Sequence, residues 1–342
     1  MYKDICVYTR YKDNVLCMLL RDSKAIDLML YPDTDIHLKN VYRGKVKNIV
    51  ANIGAAFVEV KPGLICFLSL SECKDIVVLN RNREASDLKC GDEILVQITK
   101  PAVKSKAPVC SGQIRLPKAV KDEVILQAKT RSVFSVLYSS EPEYLSFLKR
   151  FDISTLDKIV CGDETLFEEV DAYLDRLILK ESDDSLKEKL GLIRSNTTLY
   201  TDSFPIEKLY KIDSLIDEIC DKHVWLKSGA DIVIEYTEAM TVIDVNTSKS
   251  IKDKAKFHVH EVNKEAATEI FRQIRLRNLS GMILIDFIND SEENTEKLTE
   301  HVKELADADV GGCKYVDITG LGIVELTRRK SSRPLYEIIK KS

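Results

Sequence analysis

The sequence predicts a mixed α/β (α+β) protein, and three patterns carry that expectation. Short alternating apolar runs separated by Gly, Asn and Pro crowd the N-terminal third, as in a small barrel or meander. Strand-like and helix-like segments then alternate, Lys158–Asp163 followed by Glu164–Leu179, which is the order of a layered α/β domain. Finally, two apolar runs each end in an aspartate, Thr241-Val242-Ile243-Asp244-Val245-Asn246 and Ile283-Leu284-Ile285-Asp286-Phe287-Ile288, with a helical stretch between them.

Taken in order, strands are expected at Ile5–Tyr8, Val15–Leu20 and Ile26–Leu30, where apolar residues dominate between polar turns. The barrel pattern follows from Asn40 through Val46, Gly54 through Val60 and Cys66 through Leu70. A strand at Phe134–Tyr138 and a helix at Glu143–Phe151 lead into the alternating pair above. Between the two aspartates, Val259, Val262, Ala266, Ile270 and Ile274 fall on one helical face within Lys256 to Arg277.

That strand–helix–strand unit brings two strand ends together, and with them two carboxylates. Asp244 and Asp286 suit one shared divalent cation, since magnesium takes hard oxygen ligands and keeps several waters. Asn246, two residues beyond Asp244, falls on the same strand face and could orient a water or a phosphate oxygen. The chemistry this predicts is metal-assisted attack on a phosphodiester. An aspartate after a strand is also a common helix N-cap or turn former, and spacing alone leaves both possibilities open.

The chain has 342 residues, 44% of them hydrophobic, enough for two or three modest domains. No apolar stretch approaches bilayer length and the start is not a secretory signal, so a cytoplasmic protein without membrane association is expected. The nine cysteines form no Cys-x-x-Cys pair and read as free thiols. A formal net charge of −4 gives no overall bias toward nucleic acid, yet the cations cluster. Ile94 to Lys121 holds no acidic residue but contains Lys100, Lys104, Lys106, Arg115, Lys118 and Lys121. Further sets are Lys249, Lys252, Lys254 and Lys256, then Arg328, Arg329, Lys330 and Arg333. Such runs are ordinarily solvated faces; beside a polynucleotide site they would position phosphates. His258 and His260 suit an exposed helix face, and no phosphate-binding glycine loop is present.

The stretch Ser228 to Asn246, with Ser228-Gly229-Ala230-Asp231 at its start and Tyr236-Thr237-Glu238-Ala239 before the first aspartate, resembles the signature of the ribonuclease E/G family. So does Arg275-Leu276-Arg277-Asn278-Leu279-Ser280-Gly281-Met282 running into Ile283–Ile288. The resemblance implies an endoribonuclease that cuts single-stranded RNA through magnesium-activated hydroxide, leaving a 5′-phosphate and a 3′-hydroxyl. By position it makes Asp244 and Asp286 the metal ligands and Asn246 the support of the scissile phosphate, with Glu238 farther out. It implies a ribonuclease-H-like scaffold over residues 1–37 and 122–199, interrupted by an OB-fold barrel at 38–121 and followed by a deoxyribonuclease-I-like catalytic subdomain at 200–342. Phe57 and Phe67 become base-stacking candidates on the barrel, and Lys106, Lys249, Arg328 and Arg329 candidate RNA contacts.

The sequence departs from the family pattern in four places. Ile114 to Tyr138 carries no Arg-Thr pair for reading a 5′-monophosphate, and the zinc-sharing cysteine pair is not found, so a homodimer would form without zinc linkage. Asn289 stands where the family has a second aspartate, with Asp290 beside it, and Gly320 stands where it has arginine. These changes leave room for a second expectation, a non-catalytic RNA-binding protein, such as an RNA chaperone or ribosome-maturation factor, that keeps the family fold.

Overall fold

The computed structural model describes residues 3–34, 36–73, 76–81, 88–100, 107–247, 259–330 and 333–339. They form two compact units, one from residues 1–33 and 144–342, the other from residues 34–143. The architecture is mixed α/β, as the sequence predicts.

The chain begins with an antiparallel meander, β1 (Asp4–Tyr11), β2 (Asn14–Arg21) and β3 (Lys24–Pro32). These strands are apolar on both faces, so helices must cover both.

The second unit is an OB-like barrel. Strands β4 (Val41–Val50), β5 (Ala55–Lys61), β6 (Leu64–Ser69), β7 (Glu93–Lys100) and β8 (Val109–Ser111) close in the order β4-β5-β6-β8-β7. Its interior holds Val46, Val58, Val60, Leu68, Ile94, Val96 and Ile98. Gly44 is required there, because a Cβ would stand 2.7 Å from Val58 Cγ1 and 3.0 Å from the Glu59 carbonyl. Helix α1 (Lys118–Ala128) and strand β9 (Val136–Tyr138) belong to this unit, β9 pairing with β4. The expected barrel boundary at residue 121 therefore falls short of the compact unit. Arg43 fastens α1, donating to the Ala128 carbonyl at 2.8 Å while its Nη2 meets Glu93 Oε2 at 2.6 Å.

After a 3-10 helix at Glu143–Lys149, within the helical segment expected over Glu143–Phe151, β10 (Lys158–Cys161) joins β1 in parallel. The helices α2 (Glu164–Lys180) and α3 (Asp184–Ser195) precede β11 (Thr197–Leu199), which completes a five-stranded sheet, β11-β10-β1-β2-β3. Asp163 and Asp183 cap the two helices through Leu166 N and Leu186 N, each at 3.0 Å. One face of the sheet packs on α2 and α3; the other packs on α5 (Ile212–Cys220), which follows the short α4 (Ile206–Leu209).

The last sheet has six strands. They are β12 (His223–Trp225), β13 (Asp231–Tyr236), β14 (Met240–Asn246), β15 (Gly281–Asp286), β16 (Cys313–Ile318) and β17 (Val324–Arg328), in the order β12-β13-β14-β15-β17-β16. Helices α6 (Val259–Leu276) and α7 (Glu292–Asp307) cover one face with Val262, Ala266, Ile270, Phe271 and Ile274 from α6 and Leu298 and Val302 from α7. The short α8 (Leu335–Ile339) adds Leu335 to the core beneath β3. Helix α6 also ties the two sheets of this unit together: Arg272 Nε donates to the Ala25 carbonyl at 2.6 Å, and buried Arg277 donates to the Asp221 carbonyl at 2.7 Å. Among the described residues no helix is long and apolar enough to cross a membrane.

Candidate active site

Strands β14 and β15 run parallel with Asp244 and Asp286 as register partners, joined by α6 as the crossover. Neighbouring strands lie about 4.8 Å apart, so partners on one face bring their carboxylates within reach of a single cation. Parity decides which face. Ile243, Val245, Ile283 and Ile285 point into the core under α6 and α7, and the alternate positions, Asp244, Asn246 and Asp286, point the other way.

That opposite face is not dry. Asp286 is exposed and Asp244 half-buried, because the helices cover the other side of the sheet. Asn246 Nδ2 donates to Asp244 Oδ2 at 2.7 Å, which fixes the orientation of that carboxylate. Behind the pair, buried Asn263 on α6 clamps the chain leaving β15, donating to the Ile288 carbonyl at 2.7 Å and accepting from Ile288 N at 3.1 Å. The signal for Asn263 was a lone amide in the apolar stripe beside Val262, and it went unread.

Among the described residues no group of three or more His, Cys, Asp or Glu side chains is placed to hold a metal. The donor set is thus two carboxylates with an amide beside them. A softer cation would call for nitrogen or sulfur ligands, whereas a hydrated magnesium ion fits a site with one or two carboxylates.

The surrounding residues separate into those near the pair and those that are not. Asn289 is exposed, and Asp290 is occupied at the start of α7, accepting from Ser291 N at 2.8 Å and from Asn294 Nδ2 at 3.0 Å. Glu238 is exposed in the turn before β14, at the far end of that strand from Asp244. Gly320 lies in an exposed turn with open space where a Cβ would stand. Trp225, 69% exposed, was not singled out from sequence; it pairs in register with Asp231, which pairs with Asn246, so all three stand on the face that bears the aspartates.

Arg328 is a correction. It was expected on the surface as an RNA contact, but it is 3% exposed, with Nε donating to Asp309 Oδ2 at 2.8 Å and Nη1 to the Leu279 carbonyl at 2.9 Å. Val324, Leu326 and Arg328 share the buried parity of β17, while Arg329 next to it is exposed. Lys106, Lys249 and His258 lie outside the described residues. His260, expected on an exposed face, is half-buried.

On the barrel, Phe57 and Phe67 are register partners on β5 and β6, each half-buried. Their neighbours Val58, Cys66 and Leu68 fill the interior, so the two rings stand on the outer wall. They meet edge to face, centroids 6.1 Å apart at 82°. Exposed Lys45 on β4 lies opposite Glu59 of β5, on the same side of the barrel.

A family profile described as the ribonuclease E/G family matches residues 113–331, a span that includes both aspartate strands and the helix joining them. The chain belongs to the ribonuclease E/G family. Ribonuclease E of Nostoc sp. is 26% identical over 357 residues, covering 87% of this chain and 52% of that protein. Ribonuclease G of Escherichia coli strain K12 is 24% identical over 366 residues, covering 88% of this chain and 74% of the relative. A putative ribonuclease E of Buchnera aphidicola is 39% identical over 142 residues, 41% of this chain and 35% of its own. The chain spans about half the length of the Nostoc and Synechocystis ribonuclease E sequences it matches, at 52% and 53%.

Proposed function

We propose that this chain is a magnesium-dependent endoribonuclease that cuts single-stranded RNA internally, leaving a 5′-phosphate and a 3′-hydroxyl, in RNA processing or decay. The observation that carries the proposal is the register pairing of Asp244 with Asp286 on one open sheet face, in a chain of the ribonuclease E/G family. In this reading the sheet of β12 to β17 is the deoxyribonuclease-I-like catalytic subdomain, and the sheet built on β1 to β3 is the ribonuclease-H-like scaffold.

Asp244 and Asp286 would hold the magnesium ion, which when bound supplies an activated water and charge stabilisation at phosphorus. Asn246 holds Asp244 in one orientation through its amide N–H and would keep the scissile phosphate in line by the same amide. Asn263 keeps the chain after Asp286 from drifting, so the spacing of the two carboxylates is set before substrate arrives. The OB-like barrel would clamp the strand by stacking bases on Phe57 and Phe67. Exposed Arg329 would contact phosphates, without reading sequence.

The direct test uses an end-labelled, unstructured RNA with magnesium, beside Asp244→Asn and an EDTA control. Internal cuts bearing 5′-phosphates that fall on the order of a hundredfold in the variant and vanish with EDTA are the expected result. Tight RNA binding with no cutting, unchanged by the substitution, would make the chain the binding protein considered as the alternative.

A further inference from the structure

A cavity of about 180 Å³ lies in the first unit, between the segment around Asp27 of β3, the Lys149–Arg150 turn, α6 and the loop from Asp309 to Gly311. Among the described residues its lining contains five cations and two carboxylates. Both carboxylates are already engaged. Asp27 takes a two-pronged contact from Arg150, at 3.0 and 3.1 Å. Asp309 accepts from Arg328 Nε at 2.8 Å and from Cys313 N at 3.2 Å.

Arg275 is what these pairs leave over. It is half-buried, and among the described residues its Nε reaches only the Ile26 carbonyl, at 3.4 Å, longer than an ordinary hydrogen bond. No carboxylate among the described residues stands within ion-pair distance of it, nor of Lys149 or Arg329, which are exposed and complete the lining. Burial is the main influence on the Arg275 guanidinium and holds it below its ordinary pKa; the attraction of Asp27 and Asp309 outweighs the repulsion from Arg328 and Arg21 but does not make up for the burial. An arginine stays protonated all the same, so the site keeps its excess positive charge.

We propose that this cavity binds a phosphate group, with Arg275 as the central donor and Lys149 and Arg329 closing on the outer oxygens. A guanidinium has donors to spare for a tetrahedral oxyanion and binds it in paired contacts. The space holds one such group and a few waters. The site is separate from the aspartate pair. Arg328 pairs in register with Gly281 at the start of β15, whereas Asp286 ends that strand, a separation of roughly 17 Å along the strand. Binding of a free phosphate ion therefore stands whether or not the chain is a nuclease; only an RNA phosphate as the occupant rests on the function proposed above.

The test is phosphate binding by the full chain without magnesium, so that binding is read apart from cleavage. Thermal unfolding in rising inorganic phosphate is compared with chloride at matched ionic strength, and equilibrium dialysis with labelled phosphate gives the affinity. Saturating phosphate is expected to raise Tm by roughly 4 °C beyond the chloride control. Arg275→Gln should weaken phosphate binding at least tenfold and Lys149→Gln a few-fold. Phosphate that protects no better than chloride, or that protects Arg275→Gln as strongly as the unmodified chain, overturns the proposal. If Arg275→Gln does not fold, the exposed Lys149→Gln decides: an unchanged phosphate affinity overturns it. A short 5′-hydroxyl RNA added to the dialysis separates the sources. Displacement of phosphate by the RNA marks the occupant as a backbone phosphate, and retention marks it as the free ion.

Discussion

Replacing Asp309 with Asn tests whether Arg328 holds the fold together. The ion pair is buried at both ends, with side chains 2% and 1% exposed. Gly311 presses against the guanidinium so closely that a Cβ would stand 2.5 Å from Arg328 Cζ, so the arginine has no room to swing out to water. Neutralising Asp309 leaves a charge stranded in the interior, which costs about 3–5 kcal/mol. For a unit of this size that corresponds to a fall in Tm of roughly 6–20 °C. The exposed pair Lys297–Glu293, one turn apart on α7 with side chains 57% and 77% exposed, is the control, and Glu293→Gln should leave the stability almost unchanged, because solvent screens an exposed pair. Urea unfolding followed by circular dichroism measures both. Adding Arg328→Met to Asp309→Asn removes the stranded charge and should recover most of the loss, because an apolar replacement of a buried pair is often near neutral. A cost below 1 kcal/mol for Asp309→Asn alone, or no recovery in the double variant, would refute the argument that burial makes this pair structural.

Alanine at Phe57 or Phe67 should weaken binding of single-stranded RNA by about 1–3 kcal/mol each, read by fluorescence anisotropy, while a duplex of equal length responds less. Trp225→Ala should raise the RNA concentration needed for half-maximal cutting and leave the pH profile unchanged; a loss confined to the turnover number would contradict a binding role for the indole. Acid stability should depend on Glu269. Burial pushes its carboxyl up, but Arg272, Gln273 and Lys24 together draw it below the ordinary value. A carboxyl depressed in the folded state contributes stability above its unfolded pKa, about 4.3, and loses it as pH falls through the lower folded value. Urea midpoints measured between pH 6 and pH 3 should therefore fall less steeply for Glu269→Gln than for the unmodified chain.

Much of the architecture is written in period and parity. The strand–helix–strand unit was legible because Val262, Ala266, Ile270 and Ile274 keep helical spacing between two apolar runs, and the barrel because its strands are short and punctuated. The same parity could have placed Arg328 correctly. In Val324-Glu325-Leu326-Thr327-Arg328 the alternate residues Val324 and Leu326 are apolar, so Arg328 follows them inward; the basic neighbours Arg329 and Lys330 masked that signal as a surface run. Which partner would neutralise it was beyond the sequence, since Asp309 lies on a loop whose approach depends on Gly311 and Gly312. The true environment of the aspartates was also hidden, because strand ends look alike whether helices cover one face or both.

The same parity explains why the aspartate pair is sensitive to the strands that carry it. Asp244 and Asp286 share a face only because β14 and β15 pair in parallel with Thr241 opposite Ile283 and Ile243 opposite Ile285. A slip of one residue in β15 would turn Asp286 into the core beneath α6 and bring Ile285 out beside Asp244. The core prevents that slip. Ile283 and Ile285 are fully buried against α6, and exchanging their places with a carboxylate would bury an unpaired charge. Asn263 adds a second lock just past the strand, where its two hydrogen bonds to Ile288 accept only one register. The placement of the two carboxylates thus follows from apolar packing on the opposite face of the same strands.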